Sequence, residues 1–239
     1  MTALPWRARI GLVIPQFDCL SEPLLPPLLP AGVSLHVSRL PRTGPVTAET
    51  LRQMNAAVDA AVDLLPISML DLVVFHCTTG SLLYPPESLA EHLESRTGLP
   101  AVTTAGAVVV ALRALRAARI SLVTPYNAEL NGLETAFLEE AGFSVNAIGG
   151  RELEDSELMQ SVSAEDVALW ARRAGASGAS DATFISCTGI RSLGFIPELE
   201  ADLGRPVVTS TTAMLWHVYK RLAVGERPAR LGRLMEETP

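Results

Sequence analysis

The feature that most restricts what this chain can fold into is a long internal repeat. Val74-Phe75-His76-Cys77-Thr78-Thr79-Gly80 and Phe184-Ile185-Ser186-Cys187-Thr188-Gly189 are both apolar runs that end in a Cys-Thr turn, with the cysteines 110 residues apart. Arg9-Ile10-Gly11-Leu12-Val13-Ile14-Pro15 matches Arg119-Ile120-Ser121-Leu122-Val123-Thr124-Pro125 at the same offset, and so does Gly32-Val33-Ser34-Leu35 with Gly142-Phe143-Ser144-Val145. Val46 to Glu49 matches Val162 to Glu165 at 116, and Pro100 to Thr104 matches Pro206 to Ser210 at 106. Five blocks in one order at nearly one period are a duplication whose small drifts are loop-length changes. A period this long describes two similar halves and not a solenoid, whose repeats are far shorter.

The apolar runs at 9–15, 33–37, 71–76 and 101–104 read as strands, as do those at 119–124, 143–147, 181–186 and 206–210. Uninterrupted apolar strands belong to parallel sheets covered on both faces. Between them, helices are expected at 48–64 (capped by Thr47), from Pro85-Pro86-Glu87 to Gly98, and at 106–117, 127–141, 164–175, 197–203 and 212–223. The expected architecture is α/β: two pseudo-symmetric Rossmann-like halves, 1–106 and 107–213, with the C-terminal segment 214–239 packing back on the first. Ligands in such sheets sit at the carboxyl ends of the strands, so the site is expected in the cleft between the halves.

Composition narrows the function classes. With 48% apolar residues among 239, the chain has enough material for a core. A formal charge of −7 and the lack of any Lys/Arg run argue against nucleic acid. Residues 1–9 do not read as a signal peptide, and no apolar run is long enough to span a bilayer. Three sparse cysteines, Cys19, Cys77 and Cys187, without CxxC or HxxxH spacing, imply free thiols in a reducing compartment and no metal site. The expected setting is cytoplasmic, with a homodimer as the base-rate assembly.

A lone cysteine is more often a small buried hydrophobe than a reagent. Two cysteines at matching strand ends of a duplicated fold are different, because both meet ligand there. Cys77 and Cys187 are therefore the candidate catalytic residues. The hydroxyls and open backbone N–H groups of Thr78, Thr79, Thr188 and the glycines suit an oxyanion or carboxylate, and such donors would favour thiolate. Opposed thiols allow three chemistries without a cofactor. One removes a proton next to a carboxylate while the other delivers one to the opposite face. One adds to an activated C=C, rotation follows, and elimination gives the other geometric isomer. Alternatively, one thiol protonates the enediolate left by loss of CO2.

Tyr126, at the end of the 119–124 strand, is a candidate carboxylate donor, and its positional partner in the first half is Gln16. Asp18 either orients a substrate group or caps the next helix. His76, one residue from Cys77, is expected on the opposite face of its strand as a packed histidine. Cys19, Trp216 and His217 read as structural, and Arg191 as a weak carboxylate binder.

Ile10 to Pro15, Cys77-Thr78-Thr79-Gly80, Leu122-Val123-Thr124-Pro125-Tyr126, Ser186-Cys187-Thr188 and Gly204 to Ser210 together resemble the aspartate/glutamate racemase superfamily over nearly the full length. The resemblance is to the branch holding maleate cis-trans isomerases and arylmalonate decarboxylases. Gln16-Phe17-Asp18, Ser186 to Arg191 and Ala213 to His217 look most like its ectoine-utilisation protein A group. It implies a cofactor-independent isomerase, a racemase or cis-trans isomerase, acting on a small carboxylate or amino acid. Cys77 and Cys187 match its paired catalytic cysteines, and Thr78, Thr79, Tyr126 and the backbone near Thr188 match its carboxylate binders. Gln16 and Asp18 complete the expected substrate contacts.

Two departures bear on the substrate. The maleate isomerases carry Asn where this chain has Asp18 and where Ser156 aligns, which disfavours maleate and favours an ammonium-bearing substrate. The decarboxylases carry Gly where this chain has Cys77, which makes decarboxylation of a malonate-like acid with Cys187 as proton donor the second reading. A non-catalytic carboxylate-binding protein is the third.

Overall fold

The computed structural model describes residues 6–85, 87–176 and 179–237. Residues 1–5 of the first expected half, 177–178 of the second, 238–239 of the C-terminal segment and Pro86 of the expected helix start lie outside them.

All eight expected strands are present. Strands β1 (Ala8–Pro15), β2 (Val33–Leu40), β3 (Leu72–Phe75) and β4 (Ala101–Thr103) form one sheet; β5 (Arg119–Thr124), β6 (Ser144–Gly150), β7 (Ala182–Ile185) and β8 (Val207–Thr209) form the other. The orders β2-β1-β3-β4 and β6-β5-β7-β8 are the same, and every pairing is parallel. β3 and β7 are buried along their whole length, which explains why their sequences are runs and not alternations.

The duplication also survives in the polar contacts that fix these strands. Asp71 Oδ2 accepts from Arg9 N at 2.7 Å, and Asp181 Oδ2 from Arg119 N at 2.8 Å. Glu94 Oε1 accepts from Ala101 N at 3.0 Å, and Glu200 Oε1 from Val207 N at 2.9 Å. Each carboxylate satisfies a backbone N–H at a strand start, where the ladder provides no acceptor. Gly98 and Gly204 close the matching helices Ser88–Thr97 and Ile196–Leu203 at φ of 69° and 67°, a left-handed turn that costs glycine nothing.

The halves meet through helices Thr104–Ala114 and Ser210–Arg221, which follow β4 and β8 and pack on one another. Trp216, fully buried in the second, belongs to a core shared with Val108 of the first helix and with Ile10 and Leu12 of the first half. Tyr219 Oη donates to Leu28 O, and Arg221 pairs with Glu94, so this helix is held to the first half.

Two local expectations need correcting. The single helix expected at 48–64 is two, Ala48–Asn55 and Val58–Asp63, because Ala57 N turns to Met54 O and tightens the chain there. A short helix, Thr78–Leu82, begins immediately after Cys77, where a plain turn was expected. After Cys187 there is only a turn, so the copies diverge at the residues of greatest chemical interest. Among the described residues, no helix is long and apolar enough to cross a membrane.

Candidate active site

β3 and β7 end at Phe75 and Ile185, and two residues later each chain turns at a cysteine. Cys77 and Cys187 line one cavity of about 60 Å³ between the halves. Its walls also include Asp18, Thr78, Thr79, Tyr126 and Thr188, so seven of the eight candidate residues converge. Phe17 and Arg42 from the first half and Ser156, Met159 and Gln160 from the second complete it. Hydrogen bonds link the two halves beside it. Val46 N donates to Glu154 O at 2.7 Å, Gln160 Nε2 to Phe17 O at 2.7 Å, and Cys19 N to Gln160 Oε1 at 2.9 Å.

Gln16 is the exception. Its side chain is exposed and off the cavity, and its Oε1 accepts from Arg42 N at 3.2 Å. The positional match to Tyr126 failed because the chain after Pro15 bends into a turn, with Asp18 N bonded to Pro15 O. Arg191 is also exposed and away from the cavity, bonded to Gln160 O.

Cys77 is the N-cap of its short helix, with Gly80 N donating to Sγ at 3.3 Å. Thr78 and Thr79 are the first helical residues, whose N–H groups have no partner within a helix. Cys187 sits at φ of 110°, unusual for a residue with a Cβ, and receives Gly189 N at 3.2 Å and the Tyr126 hydroxyl. Strain of this kind persists where the surroundings fix it. Ser210 does some of that fixing: its Oγ accepts from Cys187 N at 3.0 Å and from Thr78 Oγ1 at 2.7 Å, joining both cysteine turns.

The expectation that the donors favour thiolate is corrected by burial. Desolvation pushes Cys77 up to about 11, against the Gly80 and Thr79 hydrogen bonds and the charge of Arg42, with Asp18 adding to the rise. It pushes Cys187 up to about 12, despite Tyr126 and Gly189, with Cys77 and Asp18 adding to the rise. Burial favours the thiol form of both at neutral pH, and a Cys77 anion further disfavours ionisation of Cys187.

Asp18 takes up its own turn. It lines the cavity, yet its oxygens accept from Leu20 N, Ser21 N and Ser21 Oγ at 3.0, 2.9 and 2.6 Å. His76 is fully buried off the cavity, with Nδ1 3.0 Å from Thr104 Oγ1. Desolvation lowers it to about 4, which leaves it neutral. Ser186, its counterpart before Cys187, donates at 2.5 Å to Glu134, a buried carboxyl that desolvation raises to about 8.

Arg42 is the residue that sequence reasoning missed. It sits in the turn after β2, in a Pro41-Arg42-Thr43-Gly44-Pro45 stretch that reads only as a loop. It is nonetheless 5% exposed and faces the thiols. The available signal was position, since this loop follows a strand end as both cysteines do.

The decisive comparison is with family models: residues 82–235 match the one described as arylmalonate decarboxylase. The chain belongs to the arylmalonate decarboxylase family. It is 29% identical over 241 residues to the maleate isomerase of Nocardia farcinica, covering 96% of each. It is 37% identical over 154 residues to the arylmalonate decarboxylase of Bordetella bronchiseptica, covering 63% of this chain and 64% of that one. A solved structure of the Nocardia farcinica maleate cis-trans isomerase superposes with a TM-score of 0.89 at 27% identity, over 97% of this chain and 99% of that one. That structure is a cysteine-to-serine mutant holding a covalently bound succinylcysteine intermediate.

Proposed function

We propose that the protein is a cofactor-independent isomerase of a small carboxylate, working with Cys77 and Cys187 as a pair. The observation that carries this is the convergence of both thiols, one from each half, on one cavity lined with candidate carboxylate donors. The succinylcysteine in the related isomerase supports cysteine chemistry on such a frame.

The surroundings divide the roles. Cys77 has the Gly80 N–H and the Arg42 charge on its side, so it is the thiol that ionises, releasing its proton to solvent before the chemical step and ending each turnover again as thiolate. Cys187, held by the Tyr126 hydroxyl, is the acid. In cis-trans isomerisation the Cys77 thiolate forms a C–S bond to one alkene carbon while the Cys187 proton passes to its neighbour. Rotation about the new single bond follows. The Cys187 thiolate then removes a proton from that carbon, the C–S bond breaks, and Cys77 regains its charge. In racemisation the same two groups remove and return a proton on opposite faces. Thr78, Thr79, Thr188 and Tyr126 hold the carboxylate on which charge accumulates.

The family match favours one second reading, in which loss of CO2 leaves an enediolate that Cys187 protonates. Turnover by Cys77→Ser and Cys187→Ser proteins separates the two. Proton NMR in D2O would follow maleate and fumarate, amino-acid enantiomers and an arylmalonate. The isomerase loses turnover with either change. A Cys77→Gly protein that retains or gains CO2 release would overturn the isomerase reading.

A further inference from the structure

Helix Ala128–Glu140 grips both of the turns that meet at the Cys187 thiol. Asn131 holds the first: its Nδ2 donates to Tyr126 O at 2.9 Å, and its Oδ1 accepts from Thr124 Oγ1. Glu134, three residues on and so on the same helix face, holds the second by accepting the Ser186 hydroxyl at 2.5 Å. Ser186 immediately precedes Cys187, is fully buried and does not line the cavity. A buried serine needs no carboxyl for this. Ser81, for example, donates to the backbone oxygens of Cys77 and Thr78 at 2.8 and 3.0 Å. Glu134 instead reaches in from another element and leaves its Oε2 without a hydrogen-bond partner, an arrangement costly enough to need a reason. The first half lacks it. There His76, the counterpart of Ser186, bonds to Thr104, so the buried carboxyl belongs to the half with Tyr126 and the strained Cys187.

We propose that Glu134 is a positioning residue: through Ser186 it fixes the Cys187 turn while Asn131 fixes that of Tyr126, so that one rigid helix sets the Tyr126 hydroxyl on Cys187 Sγ. This rests on the two-thiol isomerase reading, in which Cys187 is the acid, and deepens it. Glu134 suits the task only as the neutral acid, because a carboxylate would leave Oε2 a bare buried anion. Burial keeps it neutral up to about 8. Among the described residues, no cation offsets this. Thr78–Leu82 and β6, which pack on its helix, carry no ionisable side chain, and neither does β7. β5 has only Arg119, exposed at its far end, and Arg113 bonds to Ala141 O beyond the other end of the helix. Tyr126 is the ionisable group that a Glu134 charge reaches, and that charge pushes the phenol up. Losing the proton therefore weakens the donor to Cys187 and sets a negative charge behind a site where negative charge accumulates.

The test compares Glu134→Gln, which keeps the acceptor for Ser186, with Glu134→Ala, which does not. One readout is backbone amide exchange at Cys187, whose N–H donates to Ser210 Oγ, against that at Ser81, whose N–H donates to Cys77 O. The other is kcat across pH 6–10 on the carboxylate that the parent protein turns over. Glu134→Ala should speed exchange at Cys187 about tenfold, leave Ser81 unchanged, and lower kcat about ten- to a hundredfold with little change in KM. Glu134→Gln should restore both below pH 8, and above it the kcat of the parent should fall relative to that of Glu134→Gln. Ser186→Ala breaks the same hydrogen bond with a smaller void, and provides the reading should Glu134→Ala not fold. Exchange at Cys187 that neither Glu134→Ala nor Ser186→Ala changes overturns the proposal, as does a kcat ratio of parent to Glu134→Gln that stays flat through pH 8. Exchange lost with Ala and restored with Gln, in a parent protein that turns over none of the acids, upholds the positioning and sinks the isomerase instead.

Discussion

Replacing Glu134 by Gln makes a strong statement about the ground behind Cys187. Glu134 is fully buried in helix Ala128–Glu140, and Ser186, adjacent to Cys187, donates to its Oε1. Its Oε2 has no hydrogen-bond partner. Burial raises its pKa from 4.5 to about 8, so the folded protein keeps a proton that the unfolded chain releases. Stability is then greatest below pH 4.5 as far as this group is concerned, and falls as pH rises through 8. The slope approaches about 1.4 kcal/mol per pH unit between those limits. From pH 5.5 to 7.5 the loss is on the order of 3 kcal/mol, or roughly 5–10 °C in melting temperature for a chain this size. Gln keeps the acceptor for Ser186 and removes the titration. Thermal melts of both proteins across pH 5–8 should nearly coincide at pH 5 and separate steadily above it, with the variant more stable. A difference that does not change with pH would refute the reasoning, because it would mean that Glu134 does not titrate between the folded and unfolded states in this range.

Ser210→Ala removes the acceptor shared by Thr78 Oγ1 and Cys187 N, leaving a buried N–H unpaired. Denaturant unfolding should show a loss of about 1–3 kcal/mol, with turnover reduced because both cysteine turns loosen. Tyr126→Phe removes the hydroxyl that lowers Cys187, so Cys187 alkylation should move to higher pH while the fold persists. Turnover should drop about a hundredfold, as when an oxyanion donor is lost.

The strands and the cleft were legible because duplication shows itself twice, in apolar runs and in the polar residues at their ends. The offset that aligned Cys77 with Cys187 also aligns Asp71 with Asp181, and the offset of the Pro100 and Pro206 blocks aligns Glu94 with Glu200, so matching carboxylates secure the same strands in each copy. What stayed hidden is what the copies do not share. Thr78–Leu82 has the composition of a turn and becomes helical because Cys77 caps it and Asn55 Nδ2 bonds to Gly80 O at 2.8 Å. The resting state of the thiols depends on desolvation, a property of enclosure that no local motif carries. Arg42 was unreadable for the same reason: its partners, Ser156 and Phe17, are distant in sequence, and only the folded roof brings them together.

The account turns on two thiols buried in one cavity, and site-resolved alkylation across pH 6–11, with and without a bound dicarboxylate, tests this most directly. Cys19 is exposed and should react fastest. Cys77 and Cys187 should react slowly at neutral pH and accelerate about tenfold per unit without levelling near the free-thiol value of about 8.5. One ligand should protect both together. Protection of one cysteine but not the other, or levelling of both near 8.5, would show that they do not share an enclosed site, and the paired mechanism would fall.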